Sequence, residues 1–235
     1  MNLLLLSSSR VGSTEYLTHA ENMIKQHLGS SITEVLFIPY AGVSIDFEAY
    51  ESMVNEAFTE FGYNIRSIHH FENPKQAIKQ AQAIAVGGGN TFCLLNELYQ
   101  NDLISTIQDK IKLGTPYIGW SAGSNIAAPS IRTTNDMPII EPPSFNALHF
   151  LPFQLNPHYI DGNPPGHNGE TREMRINEFL VKNPSQTVVG IPEGTALRVE
   201  SNRLIYLANV NGYLFDKSNG KEIIEANADL SHLLN

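Results

Sequence analysis

The stretch "YIGWSAGSN", residues 117–125, decides the fold class of this 235-residue chain. It starts as a short apolar run of the length of a buried strand and continues through a serine that stands between Gly119 and Gly123. Small neighbours permit a sharp turn from a strand into a helix, and such a turn exposes the hydroxyl at its apex. The stretch therefore predicts a strand–turn–helix unit, with Ser121 as a candidate nucleophile.

The same alternation of strand and helix patterns continues on both sides of this stretch. Short apolar runs predict strands at 3–6, 34–42, 63–71, 83–90, 116–120 and 187–192. Segments of helical period lie at 13–28, 47–62, 74–82, from 91, 102–113 and 170–182. This order predicts an α/β fold with a mostly parallel sheet, and the runs "ALRVES", "RLIYLAN" and "GYLFD" predict a C-terminal β-meander. Because no linker interrupts the pattern, we expect a single α/β domain over 1–235.

One segment, 129–170, does not follow this alternation of strand and helix patterns. It holds eight of the chain's 13 prolines and shows little periodicity. Irregular segments of this length inside a domain are usually functional or disordered. We therefore expect it to contribute to a site.

Composition excludes several classes of function. The formal net charge is −9 and no cluster of Lys and Arg is present, which argues against a nucleic-acid partner. The single cysteine, Cys93, excludes an internal disulfide and favours a cytoplasmic location. The apolar run at 3–6 is too short for a signal peptide and predicts a strand instead, and no run is long enough to cross a membrane. No metal site with convincing spacing is found, and we expect no cofactor.

A second glycine-rich turn, "VGGGN" (86–90), also follows a predicted strand. Glycines let the backbone approach a ligand closely, and their N–H groups can stabilise an oxyanion. Gly88 or Gly89 is one candidate donor, and Ala122, directly after the candidate nucleophile, is another. The spacing matches neither a phosphate-binding P-loop nor a dinucleotide fingerprint.

A serine needs a base, and the histidines of the irregular segment are the candidates. These are His149, His158 and His167. We favour His158, because Pro157 stiffens the backbone before it. Glu193, in "GIPEG" beyond a strand end, could orient the imidazole, since strand ends face the crevice in which α/β sheets bind ligands.

The resulting order, serine, histidine, acid, differs from that of the α/β-hydrolases, in which the acid precedes the histidine. An esterase of that type would need Asp136 or Asp161 as its acid and His167 or His232 as its base. A cysteine amidotransferase is disfavoured because the turn holds serine and Cys93 lies within a predicted helix, where a packed thiol is expected.

Six motifs in register resemble those of the peptidase E family, the cytoplasmic aspartyl dipeptidases of bacteria. They are "VGGGNTF" (86–92), "YIGWSAGSN" (117–125), "IRTTNDMPI" (131–139), "NPHY" (156–159), "GHNGETREMRI" (166–176) and "IPEG" (191–194). The similarity begins with "LLLLSSS" and fades across the C-terminal strands. One departure is Ser124, where the family motif has alanine, and it puts no catalytic residue in doubt.

The resemblance implies a serine peptidase on the flavodoxin-like fold of class I glutamine amidotransferases, with nucleophile Ser121, base His158 and acid Glu193. It implies cleavage of dipeptides and some tripeptides after an N-terminal aspartate. Such small peptides are the expected partners, with neither nucleic acid nor membrane involved, and the chain would be a monomer or a homodimer.

An N-terminal aspartate presents an ammonium and a carboxylate, both of which need a partner when buried. Arginine suits a carboxylate best, and Arg172 and Arg175 lie three apart in a predicted helix. We favour Arg172, which lies nearer the histidine-bearing segment. Asp136 could receive the ammonium, and Asn90, after the glycines, is a further candidate for substrate binding.

Two other enzymatic functions share these residues. A cyanophycinase-like enzyme acting on β-aspartyl peptides would use the same serine and fold, and a serine esterase would use the serine with a different acid. A binding module without catalysis is the third alternative.

Overall fold

The computed structural model describes residues 1–163, 166 and 168–235. Its strands are β1 (Asn2–Leu6), β2 (Glu34–Ile38), β3 (Asn64–Ser67), β4 (Ile84–Val86), β5 (Tyr117–Trp120), β6 (Gln154–Pro157), β7 (Val188–Ile191), β8 (Ala196–Glu200), β9 (Arg203–Leu207), β10 (Gly212–Asp216) and β11 (Gly220–Ile224). Its helices are α1 (Glu21–Leu28), α2 (Phe47–Phe61), α3 (Pro74–Gln80), α4 (Thr91–Gln100), α5 (Ile104–Lys112), α6 (Ala122–Asn125) and α7 (Arg172–Lys182). Short 3₁₀ helices lie at Thr18–Ala20, Ile68–His70 and Ser231–Leu234.

The larger sheet has seven strands in the order β3-β2-β4-β5-β1-β8-β9. The first five are parallel, and β8 and β9 continue the sheet antiparallel. The run of four leucines in β1 is buried on both faces, as is typical of a covered parallel sheet.

Helices cover both faces of this sheet. Leu3 and Leu5 belong to a core that includes Ile107 of α5, whereas Leu4 and Leu6 belong to a second core that includes Ile24 of α1. The predicted α/β fold with a mostly parallel sheet is confirmed, and its helices pack on both faces.

A smaller sheet of four strands has the order β11-β10-β7-β6, in which only β6 and β7 are parallel. The three C-terminal runs predicted to form a meander are strands, but they divide between the sheets. The hairpin β8–β9 extends the larger sheet beside β1, and β10 crosses to β7 and pairs with β11.

Three local differences from the sequence prediction have physical causes. The first helix begins at Glu21 rather than at 13, because Leu17 has a left-handed backbone (φ 59°) that interrupts it. The third strand ends at Ser67, where a 3₁₀ turn follows. Strand β6 lies within the segment predicted to be irregular; its four residues are all buried and lack the alternation that reveals a half-exposed strand.

Within the described residues, no helix is both long enough and apolar enough to cross a membrane. The order β3-β2-β4-β5 reverses direction between β2 and β4, which is the kind of switch point where α/β sheets bind ligands beyond the carboxyl ends of their strands. The loops that follow β1, β2, β4 and β5 meet there.

Candidate active site

The turn between β5 and α6 holds Ser121 in a strained conformation. Its φ of 53° and ψ of −112° lie outside the regions favoured by residues with a side chain, at a cost of about 1–3 kcal/mol. The flanking glycines are required by close approach: a Cβ on Gly119 would lie 2.4 Å from the Gly123 carbonyl oxygen, and a Cβ on Gly123 would lie 2.1 Å from that of Val86. The predicted strand–turn–helix unit is therefore present, with the serine at its apex.

Ser121, His158 and Glu193 form a continuous hydrogen-bonded line. His158 Nε2 lies 2.9 Å from Ser121 Oγ, and His158 Nδ1 lies 2.8 Å from Glu193 Oε1. A carboxylate accepts a hydrogen from Nδ1 and thereby leaves Nε2 free to accept the serine proton. The arrangement suits activation of a hydroxyl by an oriented base.

Two serines that the sequence analysis missed hold this line together. The buried Ser7 accepts a hydrogen bond from the His158 backbone N–H (2.9 Å) and donates one to the Ile191 carbonyl (2.8 Å). Ser8 accepts from the N–H of Gly194, next to the glutamate (3.2 Å). The only signal in the sequence was that "SSS" directly follows a buried strand, at the edge where the site lies.

The glycine turn after β4 approaches the serine closely. Gly88 lies so close that a Cβ there would be 3.0 Å from Ser121 Cβ. Gly89 has a φ of 134°, and a Cβ there would be 2.1 Å from the Ala41 carbonyl oxygen, so only glycine fits. Within the described part of the chain, the N–H groups of Gly88, Gly89 and Ala122 have no protein acceptor, and they are available to a ligand.

A chain of side chains fixes the glycine turn. Trp120 Nε1 donates to the Tyr16 hydroxyl (2.8 Å), which donates to the Tyr50 hydroxyl (3.2 Å), which in turn donates to the Gly88 carbonyl (2.9 Å). Burial raises the pKa of both tyrosines, so their hydroxyls stay protonated and can act as donors. The chain therefore fixes the orientation of the peptide group that follows Gly88.

Asp136 borders a small cleft together with Ser121, Asn125 and His158. Its Oδ2 accepts hydrogen bonds from the Thr91 N–H (2.8 Å) and from the Thr91 hydroxyl (2.5 Å), which fixes the carboxylate at the start of α4. Its other oxygen, Oδ1, receives no hydrogen bond from the described residues. The carboxylate is therefore positioned beside the serine with one oxygen free.

The two candidate arginines differ in their surroundings. Arg172 is the first residue of α7 and is half-buried, and no carboxylate of the described residues forms an ion pair with it. Burial lowers its pKa, as does the charge of Arg175, whereas the charge of Asp136 raises it. Arg175 lies on the exposed side of the helix and pairs with Glu170 (3.6 Å). Arg172 is therefore the arginine whose charge a bound anion could still neutralise.

Asn90 has a structural task that the sequence analysis did not assign to it. Its Oδ1 accepts from the N–H groups of Phe92 and Cys93 and caps α4, and its Nδ2 donates to the Met137 carbonyl (2.9 Å). One N–H of the amide remains for a ligand, so its role in binding stays a prediction.

The alternative acids and bases lie in other contacts. Asp161 forms an ion pair with Lys221, and His149 is exposed to solvent. His167 lies outside the described residues. Burial raises the pKa of the Cys93 thiol, which disfavours the thiolate.

An open cleft of about 540 Å³ leads to the serine. It is bordered by the loops after β1, β2, β4 and β5, including Ser9, Tyr16, Val43, Gly88 and Ser121, and by His158 after β6. Its size suits a small ligand.

Comparison with known proteins agrees with the fold and the motifs. The model of Peptidase family S51 matches residues 3–207. The chain is 54% identical over 234 residues to "Peptidase E" of Shewanella denitrificans, covering 100% of this chain and 99% of that protein. The solved structure of a peptidase from an acI-B1 Actinobacterium shares the fold with a TM-score of 0.70 at 17% identity, covering 97% of this chain and 96% of that one. A structure from Listeria monocytogenes EGD-e has a TM-score of 0.67 at 24% identity, over 89% of this chain and 98% of that one.

Proposed function

The chain belongs to peptidase family S51, and from this membership and the geometry of the site we propose that it is a serine exopeptidase that hydrolyses dipeptides, and some tripeptides, with an N-terminal aspartate. The observation that carries the proposal is the hydrogen-bonded line of Ser121, His158 and Glu193 beside backbone N–H groups that donate to none of the described residues. A base oriented by a carboxylate and a set of oxyanion donors are the two requirements of acyl transfer to a serine.

In the proposed cycle, His158 Nε2 takes the proton of the Ser121 hydroxyl as Oγ attacks the carbonyl carbon of the aspartyl residue. The developing oxyanion accepts hydrogen bonds from Ala122 and from Gly88 or Gly89. The imidazolium then gives its proton to the leaving amine, and an aspartyl ester remains on the serine. Water, activated by the same imidazole, hydrolyses this ester and regenerates the hydroxyl.

Specificity for aspartate would come from two opposite charges. On a chain of net charge −9, a substrate carboxylate needs a local cation, and the half-buried Arg172 provides one. Asp136, fixed by Thr91 and adjacent to Ser121, provides the partner for the substrate ammonium. Each substrate charge needs its protein partner, because burying a charge without a partner costs several kcal/mol of binding free energy.

Restriction to short peptides would follow from the irregular segment. Asp136 and His158 both come from 129–170, and Ile139 of the same segment borders the open cleft. A carboxylate that pairs with the free ammonium also fixes the distance between the N-terminus of the substrate and the serine. Only the first peptide bond then reaches Oγ.

The proposal is tested by hydrolysis of Asp-Leu, Glu-Leu, Leu-Leu and β-Asp-Leu by the purified protein. Ser121→Ala is the inactive variant, and Ser185→Ala, at an exposed serine between α7 and β7, is the matched control. We expect cleavage of Asp-Leu above the others, lost in the first variant and kept in the second. Turnover of more than a tenth of wild type in Ser121→Ala would show that the nucleophile is another residue.

The same peptides, together with activated esters and a fluorophosphonate probe, separate the alternatives. Preference for β-Asp-Leu would indicate a cyanophycinase-like enzyme. Cleavage of activated esters without cleavage of any peptide would indicate an esterase. Failure of a fluorophosphonate to label Ser121 in the folded protein would indicate a binding module.

A further inference from the structure

Two glutamates and two histidines meet at the start of α2, apart from the serine site. Glu48 and Glu51 lie three residues apart in the first turns of α2 and so project from one face. Helix α2 is followed in the chain by β3, and His69 and His70 lie in the 3₁₀ turn directly after β3. One ligand atom from each of the four lies within 4.8 Å of the others. We call this group the His–Glu cluster.

The donor atoms of the cluster are those of transition-metal sites. Two imidazole nitrogens with two carboxylate oxygens match the preferences of Zn²⁺ and its neighbours, whereas Ca²⁺ and Mg²⁺ prefer oxygen alone. We propose that the His–Glu cluster binds one divalent transition-metal ion, of which Zn²⁺ is the representative. The proposal is independent of the function proposed for Ser121.

The spacing of the donors fits such an ion. His69 Nε2 lies 3.1 Å from Glu48 Oε1, and His70 Nε2 lies 2.5 Å from Glu51 Oε2. Tetrahedral bonds of about 2.0–2.1 Å place ligand atoms roughly 3.3 Å apart. The four atoms lie within 4.8 Å of one another, so no two of them are more than about 1.5 Å beyond the separation of ligands on one ion.

Ser67 orients one of the two histidines, His69, and one of the two glutamates, Glu51. Its hydroxyl lies 2.6 Å from His69 Nδ1, which leaves Nε2 facing the cluster. Its backbone N–H donates to Glu51 Oε1 (2.7 Å), which leaves Oε2 facing the cluster. Partners of this kind, behind the ligands, fix ring orientation and tautomer in metal sites. Ser67 is fully buried. Two exposed His–Glu ion pairs on the surface would not require a buried serine behind them.

The burial of the cluster gives an ion both a support and an entrance. His69 and Glu51 are mostly buried, whereas Glu48 and His70 are more open to solvent. The ring of His69 also packs against Phe47, with the ring centroids 5.7 Å apart. An ion bound here would tie the start of α2 to the turn after β3 and so stabilise the fold without touching the reacting atoms.

The test is titration of the full-length, tag-free, chelator-treated protein with Zn²⁺ by isothermal titration calorimetry near pH 7.5, together with Co²⁺ absorption. We expect one ion per chain, with a Co²⁺ spectrum of low coordination number. His69→Ala and Glu51→Gln should each weaken Zn²⁺ binding by at least about 100-fold, and Ser67→Ala by about 10-fold, as is typical of a residue behind a ligand. Zn²⁺ should also raise the thermal midpoint of the wild type.

Two controls keep the outcome specific. His158→Ala removes the other histidine paired with a glutamate, and His232→Ala removes an exposed histidine near the C-terminus; both should keep one ion per chain at wild-type affinity. The proposal is overturned if Zn²⁺ does not saturate the wild type, or if His69→Ala and Glu51→Gln bind like the wild type while folded by circular dichroism. It is also overturned if His158→Ala abolishes binding.

Discussion

Glu193 is the most solvent-accessible end of the line that leads to Ser121, with 53% of its side chain exposed against 36% for His158. Water competes for its hydrogen bond, so the charge stabilises the imidazolium less than a buried carboxylate would. Neutralising a buried triad acid costs about 10⁴ in kcat, and we expect Glu193→Gln to cost about 10². Steady-state kinetics on Asp-Leu measures the effect, with Glu200→Gln at the exposed end of β8 as the control. A loss of less than twofold would remove the carboxylate from the mechanism and restore the esterase hypothesis.

Arg172 and Arg175 provide a matched pair for testing specificity. Arg172 is half-buried and has no ion pair among the described residues, whereas Arg175 is exposed and already pairs with Glu170. Loss of one partner of a desolvated charge pair costs about 2–5 kcal/mol, so Arg172→Met should lower kcat/KM for Asp-Leu by roughly 30-fold or more. Arg175→Met should change it little.

Hydrolysis of a small activated ester is the internal reference for both arginine variants. The ester lacks the carboxylate, so Arg172→Met should leave its turnover unchanged. Equal losses on the ester and on Asp-Leu would show that Arg172 supports the fold of the site instead of recognising the substrate.

The sequence predicted the three candidate catalytic residues that the structure brings together, but not the residues that hold them. Ser121, His158 and Glu193 lie in short motifs whose turn chemistry is local, so each could be proposed from its neighbours. The role of Ser7 depends on His158 and Ile191, which are 151 and 184 residues away in the chain. A serine after a strand has no local property that reveals such a partner.

At the scale of elements, α2 supports the glycine turn through Tyr50. Its hydroxyl is the last donor of the chain from Trp120 and holds the Gly88 carbonyl at 2.9 Å. We expect Tyr50→Phe to reduce kcat about 10-fold with little change in KM, because the oxyanion donors lose their orientation while the cleft keeps its shape. The hydrogen bond itself contributes only about 1 kcal/mol to stability.

Tyr99→Phe is the matched control for this variant. Its hydroxyl also donates to a backbone carbonyl, but to that of Asn146 (2.9 Å) and not to one of the glycine turn. Comparable losses of kcat in both variants, or a loss in Tyr50→Phe that follows its thermal midpoint, would assign the effect to stability instead of to positioning.

Some elements could not be predicted because their environment is set by other parts of the chain. Strand β6 has the sequence "QLNP", with one apolar residue other than the proline. Its backbone pairs with β7, and the side chains of Asn125 and Thr133 donate to its Leu155 carbonyl. The division of the C-terminal strands between two sheets likewise depends on which edges are free. Strand β8 pairs with the free edge of β1, and strand β10 pairs with the free edge of β7.

At the scale of the whole molecule, the two sheets each provide one half of the site. The larger sheet ends in the turns that carry Ser121 and the glycines, and the smaller sheet ends in His158 and in the loop of Glu193, after β6 and β7. Ser7 and Ser8 at the end of β1 hydrogen-bond to both of these loops. The relative position of the sheets therefore sets the distance between Ser121 and His158.

A buried histidine in α1 makes the stability of this assembly depend on pH. His27 is 7% exposed, and its Nε2 lies 3.1 Å from the Tyr117 carbonyl oxygen. The neutral ring donates a hydrogen bond to this oxygen when Nε2 carries the proton. Burial lowers the pKa of His27 from 6.5 to about 4, with the Tyr117 hydrogen bond opposing the shift and Arg198 adding to it. The neutral imidazole is thus the form that the folded core accepts.

The sign of the effect follows from proton binding. Between pH 6.5 and 4 the unfolded chain binds a proton at His27 that the folded chain does not, so stability is complete above pH 6.5 and falls as the pH falls. The loss reaches about 3 kcal/mol near pH 4, since each pKa unit is worth about 1.4 kcal/mol. His27→Gln, which keeps a donor for Tyr117, should flatten this part of the curve in urea unfolding between pH 4 and 7. The exposed His232→Gln should follow the wild type; a His27→Gln curve parallel to the wild type would show that His27 is not the group whose protonation unfolds the chain.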